Sequence, residues 1–514
     1  MKKITALALA ILMLLLALCS CALSKPADEI SLTLKPADET VATTVVTQAP
    51  TETTTTSTTA GETVVTTTAA QAETTASTSE TVVVPVTTQA ETTTAEETAA
   101  TTAVTQTSAE TTTTSTTADQ PIVPPIVTQP DGDLMIDYVA QAVSGRMTDD
   151  KFVSTVIRFS DELFKRSTSD KKTNSLISPL SIFVALAMTA NGAQNETKAE
   201  FEQVFGLTVD EANEYLYTYV KSLYSDDNTK LELANSIWFD SNEYNIHVNE
   251  DFLQTNKNYY DAQAYKKDFS TPQIVDDINA WVKEHTDDMI EKIIKEFDPN
   301  CVMVLINALV FDSAWETKYE DKDCTFETFY AYDGTKSAVK LMKSTEQYIS
   351  GKGYTGFTKK YANGYKFVAV LPDEKTDIFD FVSQISYGDV YNSMMQNVNF
   401  DEAIAYLPAF EYDYDIELND ALIAMGLSEA FSETMADFSG IDSRNNLYID
   451  KVLHNTHIEV KQEGTKAAAA TAVIIDRKSA PATPTVRLDR PFVYYIIDET
   501  TNLPVFMGIV TEVK

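Results

Sequence analysis

The sequence predicts an α+β fold, because helical patterns fill the first part of its globular region and strand patterns dominate the rest. Apolar residues recur at helical spacing over Phe152–Phe164. A second helix is predicted to begin at Ser178-Pro179, with serine as the N-cap and proline in the first turn. A third helical pattern covers Asp276–Ile294. Helices that come early and strands that come late argue against alternating βα units.

Strands are predicted from three long apolar runs. Val302–Phe311 is too long and too uniformly apolar for an edge strand, so we expect it inside a sheet that is covered on both faces. Tyr365–Pro372 and Phe492–Ile497 have the same character. The sheet is therefore expected to form the centre of the domain.

The N-terminus has the pattern of a secretion signal. Met1–Lys3 is basic, and the almost wholly apolar stretch Ile4–Leu18 is short for a membrane span. The sequence Leu18-Cys19-Ser20-Cys21 resembles a bacterial lipobox, which would make Cys21 the lipidated first residue of the mature protein. An ordinary secretory signal cleaved nearby is the alternative. The signal peptide together with its lipobox is predicted to occupy residues 1–21, and either reading predicts an extracellular protein, tethered to the bacterial membrane or secreted.

Residues 22–135 are predicted to form a linker rich in Thr, Ala, Val and Glu, with no Lys or Arg between Lys35 and Arg146. So few large apolar side chains cannot repay the entropy of ordering, and the linker is predicted to be disordered, with threonines open to glycosylation. As a flexible coil it would span roughly 60 Å. A β-rich module is the less favoured reading. Residues 136–514 return to the composition of a globular domain.

The composition also limits the function. The net charge of -37 over 514 residues argues against a nucleic-acid partner. Beyond the signal, only Cys301 and Cys324 remain, and no Cys/His cluster suggests a metal or other cofactor. Hydrolase, metalloprotease and phosphate-loop motifs are absent, and no serine lies in a context typical of a nucleophile. We therefore expect a protein that is not an enzyme.

One segment near the C-terminus carries contradictory signals. Glu463–Ser479 contains an alanine run that favours a helix, then a strand-like run, and then the basic pair Arg477-Lys478. This segment resembles the hinge and reactive-centre loop of the serpins. The matching hinge residues are Glu463, Gly464, Thr465, Ala467, Ala468, Ala469, Ala470 and Thr471.

Other motifs support the same resemblance over the whole globular domain. They are Asn174–Ser181, Asn307 followed by Trp315-Glu316, Met425-Gly426-Leu427, Ala436–Ile441, Arg490-Pro491-Phe492 and Phe506-Met507-Gly508. Each motif alone would be weak, but together they are specific.

The resemblance implies a serpin fold, with a large central mixed sheet, smaller sheets and an exposed reactive loop. It also implies a monomer that inhibits serine proteases, and in some cases cysteine proteases, as a suicide substrate. The protease would cut the loop and form an acyl-enzyme, and the loop would then insert as a strand into the main sheet. The alternative is a serpin fold without inhibitory activity, used as a cell-surface scaffold for binding or adhesion.

The resemblance also suggests the scissile bond. Counting from Gly464 leads to Lys478-Ser479, with Arg477 as the adjacent alternative, and both favour a trypsin-like target. In a shifted frame, Ile474 or Ile475 would suit elastase-like or subtilisin-like proteases. The hinge itself alternates with period two, so that Thr465 and every second residue after it are small or apolar and fit for burial.

A second site implied by the resemblance is the shutter, a group that holds the central strands together until the loop is cut. His454 matches the family's histidine, with Asn307 and either Ser178 or Ser181 as its expected hydrogen-bond partners. One position departs from the family pattern. Gln462 stands where serpins usually have an acidic residue, so a neutral hydrogen bond is expected there in place of a salt bridge.

The resemblance finally bears on the two thiols. Cys301 would open the long strand and Cys324 would lie well past its far end, so both are predicted to be reduced.

Overall fold

The structure is a computed structural model that describes residues 129–168, 172–223, 225–226, 229–242, 246–296, 301–396, 402–444, 447–465 and 483–514. The predicted signal peptide, the predicted lipidation site Cys21 and the predicted linker up to residue 128 lie outside these residues. The part of the hinge from Ala467 to Thr471 and the predicted reactive bond also lie outside them. The described residues contain no helix that is long and apolar enough to cross a membrane.

Nine α-helices occur in the described part of the chain, together with 3₁₀ turns at Asp321–Asp323 and Glu429–Phe431. The helices are α1 (Asp150–Thr168), α2 (Pro179–Ala190), α3 (Asn195–Phe205), α4 (Val209–Ser222), α5 (Glu250–Tyr260), α6 (Gln273–Glu284), α7 (Ile378–Gln384), α8 (Tyr387–Gln396) and α9 (Asn419–Met425).

The strands are β1 (Gly132–Asp133), β2 (Ser175–Ile177), β3 (Thr229–Asp240), β4 (Gln263–Lys267), β5 (Met303–Ala314), β6 (Cys324–Tyr330), β7 (Lys336–Gly351), β8 (Tyr354–Lys360), β9 (Tyr365–Pro372), β10 (Glu402–Pro408), β11 (Phe410–Glu417), β12 (Lys451–Val460), β13 (Gly464–Thr465), β14 (Thr485–Arg487), β15 (Phe492–Asp498) and β16 (Pro504–Val510).

These strands form two mixed sheets. The first has seven strands in the order β1-β4-β3-β5-β13-β12-β11, and β5 also pairs directly with β12. The second follows the order β14-β10-β7-β8-β9-β15-β16-β2, with β6 paired to β7. Early helices and two mixed sheets confirm the predicted α+β class.

The core has two parts. The larger one holds α2, every residue of which is buried, together with the inner faces of both sheets. Ser178 caps α2 as predicted, since its hydroxyl oxygen accepts the backbone N–H of Ser181 at 3.3 Å. The smaller core lies between α6 and the seven-stranded sheet, where Trp281 and Ile278 pack with Val304 of β5. Strand β5 is thus covered on both faces, as its apolar sequence predicts.

Helix α6 is shorter than predicted. The helix expected over Asp276–Ile294 ends at Glu284. Asp287 and Asp288 have φ values of 50° and 60°, a left-handed conformation that an α-helix does not continue. Ile290 nevertheless remains in the core beneath α6, and this burial explains why the apolar spacing runs past the end of the helix.

The folded region begins slightly earlier than residue 136. Gly132–Asp133 already pairs with Tyr265 and Lys266 of β4, and the next two residues, Leu134 and Met135, are buried. These are the first large apolar side chains in the described residues, so the chain packs against the core at the first position where apolar surface can be buried. The boundary expected between residues 135 and 136 therefore lies inside a folded segment.

Strand β11 ends the seven-stranded sheet on one side and shows a strict alternation. Phe410, Tyr414 and Ile416 face the core and are buried. The four residues on the opposite face are exposed carboxylates: Glu411, Asp413, Asp415 and Glu417. The outer face of this edge strand is therefore lined with acidic groups.

Candidate functional site

The centre of the seven-stranded sheet is only partly closed. Strands β5 and β12 pair in parallel over Val304–Ala308 and Lys451–Asn455. Beyond the Ala308–Asn455 pair their direct pairing stops, and β13 enters between them from the end of the sheet. Gly464 and Thr465 pair antiparallel with β5, and Thr465 also pairs antiparallel with Val460 of β12. The first residues of the predicted hinge thus already occupy the place of an additional strand.

Glycine is required at the entry point of β13. Gly464 has φ of 156°, and a Cβ atom built there would lie 2.2 Å from the carbonyl oxygen of Ser313. A side chain at this position would push β13 out of the sheet. The glycine of the hinge motif is therefore explained by the close approach of two backbones.

The side chain of the hinge residue Thr465, on β13, is buried. Thr465 is 2% exposed, and its hydroxyl lies 2.8 Å from the hydroxyl of Tyr361. The ring of Tyr361 stacks on Trp315 at a centroid distance of 4.3 Å. The Trp315 side chain donates a hydrogen bond to the carbonyl of Lys461, and its backbone N–H donates to that of Glu463. Trp315 was part of the sequence motif, whereas nothing in the sequence pointed to Tyr361.

The four predicted shutter residues lie together next to the point where β5 and β12 part. His454 Nδ1 lies 2.6 Å from Asn307 Oδ1, and His454 Nε2 accepts the backbone N–H of Ser178 at 3.0 Å. The amide nitrogen of Asn307 donates to Ser181 Oγ at 2.5 Å and to Asn235 Oδ1. His454 and Asn307 are direct register partners in the β5–β12 pairing. Asn235 was missed, since an asparagine within a strand carries no distinguishing pattern.

These contacts define the protonation state of the histidine. Because Nε2 accepts a hydrogen bond, the proton lies on Nδ1 and is donated to Asn307. The ring is fully buried, and this burial lowers the pKa of His454 to about 3. The shutter is therefore a neutral hydrogen-bond network, and protonation of His454 would set an N–H group against the N–H of Ser178.

Gln462 takes part in a polar bridge at the same end of the sheet as β13. Its side-chain oxygen accepts a hydrogen bond from Lys340 Nζ, and its side-chain nitrogen lies 3.3 Å from Asp321 Oδ1. An amide can accept a hydrogen bond from the lysine and donate one to the aspartate at the same time, whereas a carboxylate would be repelled by the aspartate. Gln462 therefore links three segments of the chain through side-chain hydrogen bonds.

Cys301 and Cys324 are both reduced in the structure, as predicted. Cys301 is buried and Cys324 is partly exposed. Burial raises the pKa of the Cys324 thiol, so it is less reactive than an exposed cysteine.

The two central strands of this sheet part and admit Gly464–Thr465, the first residues of the segment that follows β12. The family model described as "Serpin (serine protease inhibitor)" matches residues 154–513. The chain therefore belongs to the serpin family, whose members are mostly protease inhibitors and not enzymes.

Known relatives agree with this assignment. Neuroserpin of Gallus gallus is 29% identical over 355 residues, which cover 65% of this chain and 85% of that protein. The crystal structure of a thermophilic serpin, tengpin, in the native state is 43% identical with a TM-score of 0.70, covering 75% of this chain and 100% of that one. Tengpin in the latent state is 40% identical with a TM-score of 0.62, covering 73% and 100%.

Proposed function

We propose that this chain is a suicide-substrate inhibitor of serine proteases, with trypsin-like enzymes as the favoured target class. The protease serine would attack the carbonyl carbon of Lys478, and the amine of Ser479 would leave with a proton. The freed loop end would then insert into the seven-stranded sheet and carry the acyl-bound protease with it. Elastase-like and subtilisin-like serine proteases and cysteine proteases are further candidate targets.

The observation that carries this proposal is the position of β13. Gly464–Thr465 lies between β5 and β12 in antiparallel register with both. Continued in that register, the chain would place residue 471 opposite Asn307 and His454. The hydroxyl of Thr471 can donate and accept hydrogen bonds, so it suits a position between the two shutter side chains once their direct bond is broken.

The structural features around β13 favour inhibition over a scaffold role. A scaffold needs no partly open sheet and no glycine at the entry point. Insertion of the loop would add backbone hydrogen bonds between the loop and the facing edges of β5 and β12. This gain in hydrogen bonding supplies the driving force.

The experiment mixes the secreted protein with trypsin and, separately, with an elastase, followed by a denaturing gel and the mass of the released C-terminal peptide. A detergent-stable complex with trypsin and a peptide that begins at Ser479 are expected. Lys478→Ala should move or abolish cleavage, and Thr465→Arg should be cut without forming a complex, since an arginine cannot be buried at that position. Cleavage without a complex by either protease would support the non-inhibitory binding or adhesion scaffold.

We further propose that the protein acts outside the cell, held to a bacterial membrane through lipid on Cys21. The lipobox resemblance supports this proposal, and the linker would let the inhibitor reach proteases away from the surface. Cys21→Ser is expected to move the protein from the membrane fraction to the medium. Equal release of the parent protein would instead favour an ordinary secretory signal.

A further inference from the structure

The nine-stranded sheet contains a buried ion pair that the proposed mechanism does not yet use. Lys359, on β8, is 2% exposed, and its ammonium lies 2.7 Å from Glu346 Oε1 on β7. Glu346 is itself mostly buried, with 14% of its side chain exposed. A buried ion pair contributes little net stability, because desolvation of the two charges offsets their attraction. What the lysine contacts is therefore the better guide to its role.

Three further contacts of Lys359 go to the segment that follows β5. Its ammonium donates a hydrogen bond to the carbonyl oxygen of Thr317 at 3.0 Å. The same group lies over two aromatic rings, 5.4 Å from the centroid of Trp315 and 4.4 Å from that of Tyr319. A cation over a ring is attracted by the negative ring face, and more strongly where water is excluded. Lys359 therefore ties the segment 315–319 to the nine-stranded sheet.

Trp315 and Tyr319 in turn hold the residues that precede β13. The backbone N–H of Trp315 donates to the carbonyl of Glu463 at 3.0 Å, and its indole N–H donates to that of Lys461 at 2.9 Å. The backbone N–H of Tyr319 donates to the carbonyl of Gln462 at 3.1 Å. Three successive carbonyls are thus bound by the two residues whose rings lie on the buried lysine. The chain enters the gap between β5 and β12 at the very next residue.

We infer that Lys359 and Glu346 are positioning residues for loop insertion. The inference rests on the proposed function and adds to it a fixed base for the moving loop. Lys359 holds the segment 315–319, that segment holds residues 461–463, and the point at which β13 enters the sheet is set as a result. Glu346 balances the charge of the lysine, which would be costly to bury alone. Loss of the pair loosens residues 461–463, so that insertion slows and more acyl-enzyme is hydrolysed before the protease is carried away.

The test compares a double variant, Lys359→Met with Glu346→Gln, against Lys360→Met in the full chain. The double change removes both charges, so neither is left buried without a partner. Lys360 is the adjacent residue of β8 and serves as the matched control. Its side chain is 49% exposed and pairs with Glu499 on the opposite face of the strand.

The first measurement is amide hydrogen exchange in the uncut protein, and it does not depend on trapping. The amides of Trp315 and Tyr319 donate to residues 461–463, so their exchange reports how firmly that segment is held. Loss of the charge-assisted contacts should quicken this exchange about tenfold in the double variant. Lys360→Met should leave it unchanged. The amides of β15, inside the same sheet, should keep their protection in both variants, whereas a general loss of stability would quicken them as well.

The second measurement is the number of moles of protein consumed per mole of trypsin trapped, together with the rate at which trypsin cuts the loop. The double variant is expected to consume several-fold more protein per protease. Its cutting rate should stay at the parent value, because cutting precedes insertion. Glu346→Gln alone keeps an amide oxygen that can accept from Lys359, so it should change both measurements in the same direction but by less. This single variant carries the test if the double variant does not fold.

The outcomes separate this inference from the proposed function. Unchanged exchange at Trp315 and Tyr319, or quicker exchange that extends equally to β15, overturns the positioning role. Quicker local exchange with unchanged consumption per protease, in a parent that traps trypsin, overturns it too. A parent that traps neither trypsin nor elastase overturns the proposed function. Quicker local exchange in the double variant then still supports the pair as the group that fixes residues 461–463.

Discussion

Acidification should destabilise the protein through one buried histidine. The pKa of His454 is lowered to about 3 in the folded state, against an ordinary value of 6.5. As the pH falls below 6.5, the unfolded chain takes up the proton first, so the stability that is fully present above pH 6.5 is lost progressively toward pH 3. One pKa unit corresponds to about 1.36 kcal/mol, so roughly 2 kcal/mol should be lost by pH 5.

The assay is urea unfolding at pH 7.5 and pH 5.0 for the parent and for His454→Gln, which keeps a neutral hydrogen-bonding side chain. Another group acts in the opposite direction. Burial raises the pKa of Asp161 to about 6, so its contribution is greatest at low pH and is lost as the pH rises through 6. Asp161 is common to both proteins, and the difference between their pH dependences therefore isolates His454.

His457→Gln serves as the matched control, since His457 lies on the outer face of the same strand and pairs with Asp413 at 2.7 Å. This variant leaves the buried His454 network unchanged, so the free energy that the parent loses through His454 should be lost here as well. An equal loss of free energy between pH 7.5 and pH 5.0 in His454→Gln and in the parent would show that His454 is not the source of the pH dependence.

Three further changes test the packing and the hydrogen bonds. Asn307→Ala leaves several buried polar groups unpaired and should lower the free energy of unfolding by about 2–4 kcal/mol in urea titrations, and a loss below 1 kcal/mol would contradict the network. Leu134→Ala should cost about 2–5 kcal/mol, whereas Ile136→Ala, at a residue that is 78% exposed, should stay within about 0.5 kcal/mol. Gly464→Ala should expel β13, seen as faster amide hydrogen exchange at Thr465, and unchanged exchange would rule out the close contact with Ser313.

Much of the scaffold follows from local sequence patterns. Tyr365–Pro372 was predicted as a strand with the bounds that β9 has, and Phe492–Ile497 falls within β15. Val302–Phe311 lies close to the bounds of β5. Such strands can be recognised because burial on both faces requires a continuous apolar run, and this requirement is visible without knowing the neighbours.

The features that depend on tertiary contacts could not be found in this way. Strand β13 has two residues, Gly464 and Thr465, and it exists because β5 and β12 part there. The end of α6 was missed because apolar spacing continues past Glu284 in residues that pack on the same sheet. The shutter residues were selected by family resemblance, and only the fold shows that Asn235 joins them.

The acidic edge of β11 bears on how the protein avoids aggregation. An edge strand exposes backbone groups that could pair with a strand from another molecule. On β11 the exposed positions alternate as carboxylates, from Glu411 to Glu417. Two copies that approach through this edge bring like charges together, and this repulsion disfavours self-association. The effect matters for a molecule that also has a gap in its central sheet. Such protection weakens as salt screens the charges, and concentrated salt should therefore favour polymers.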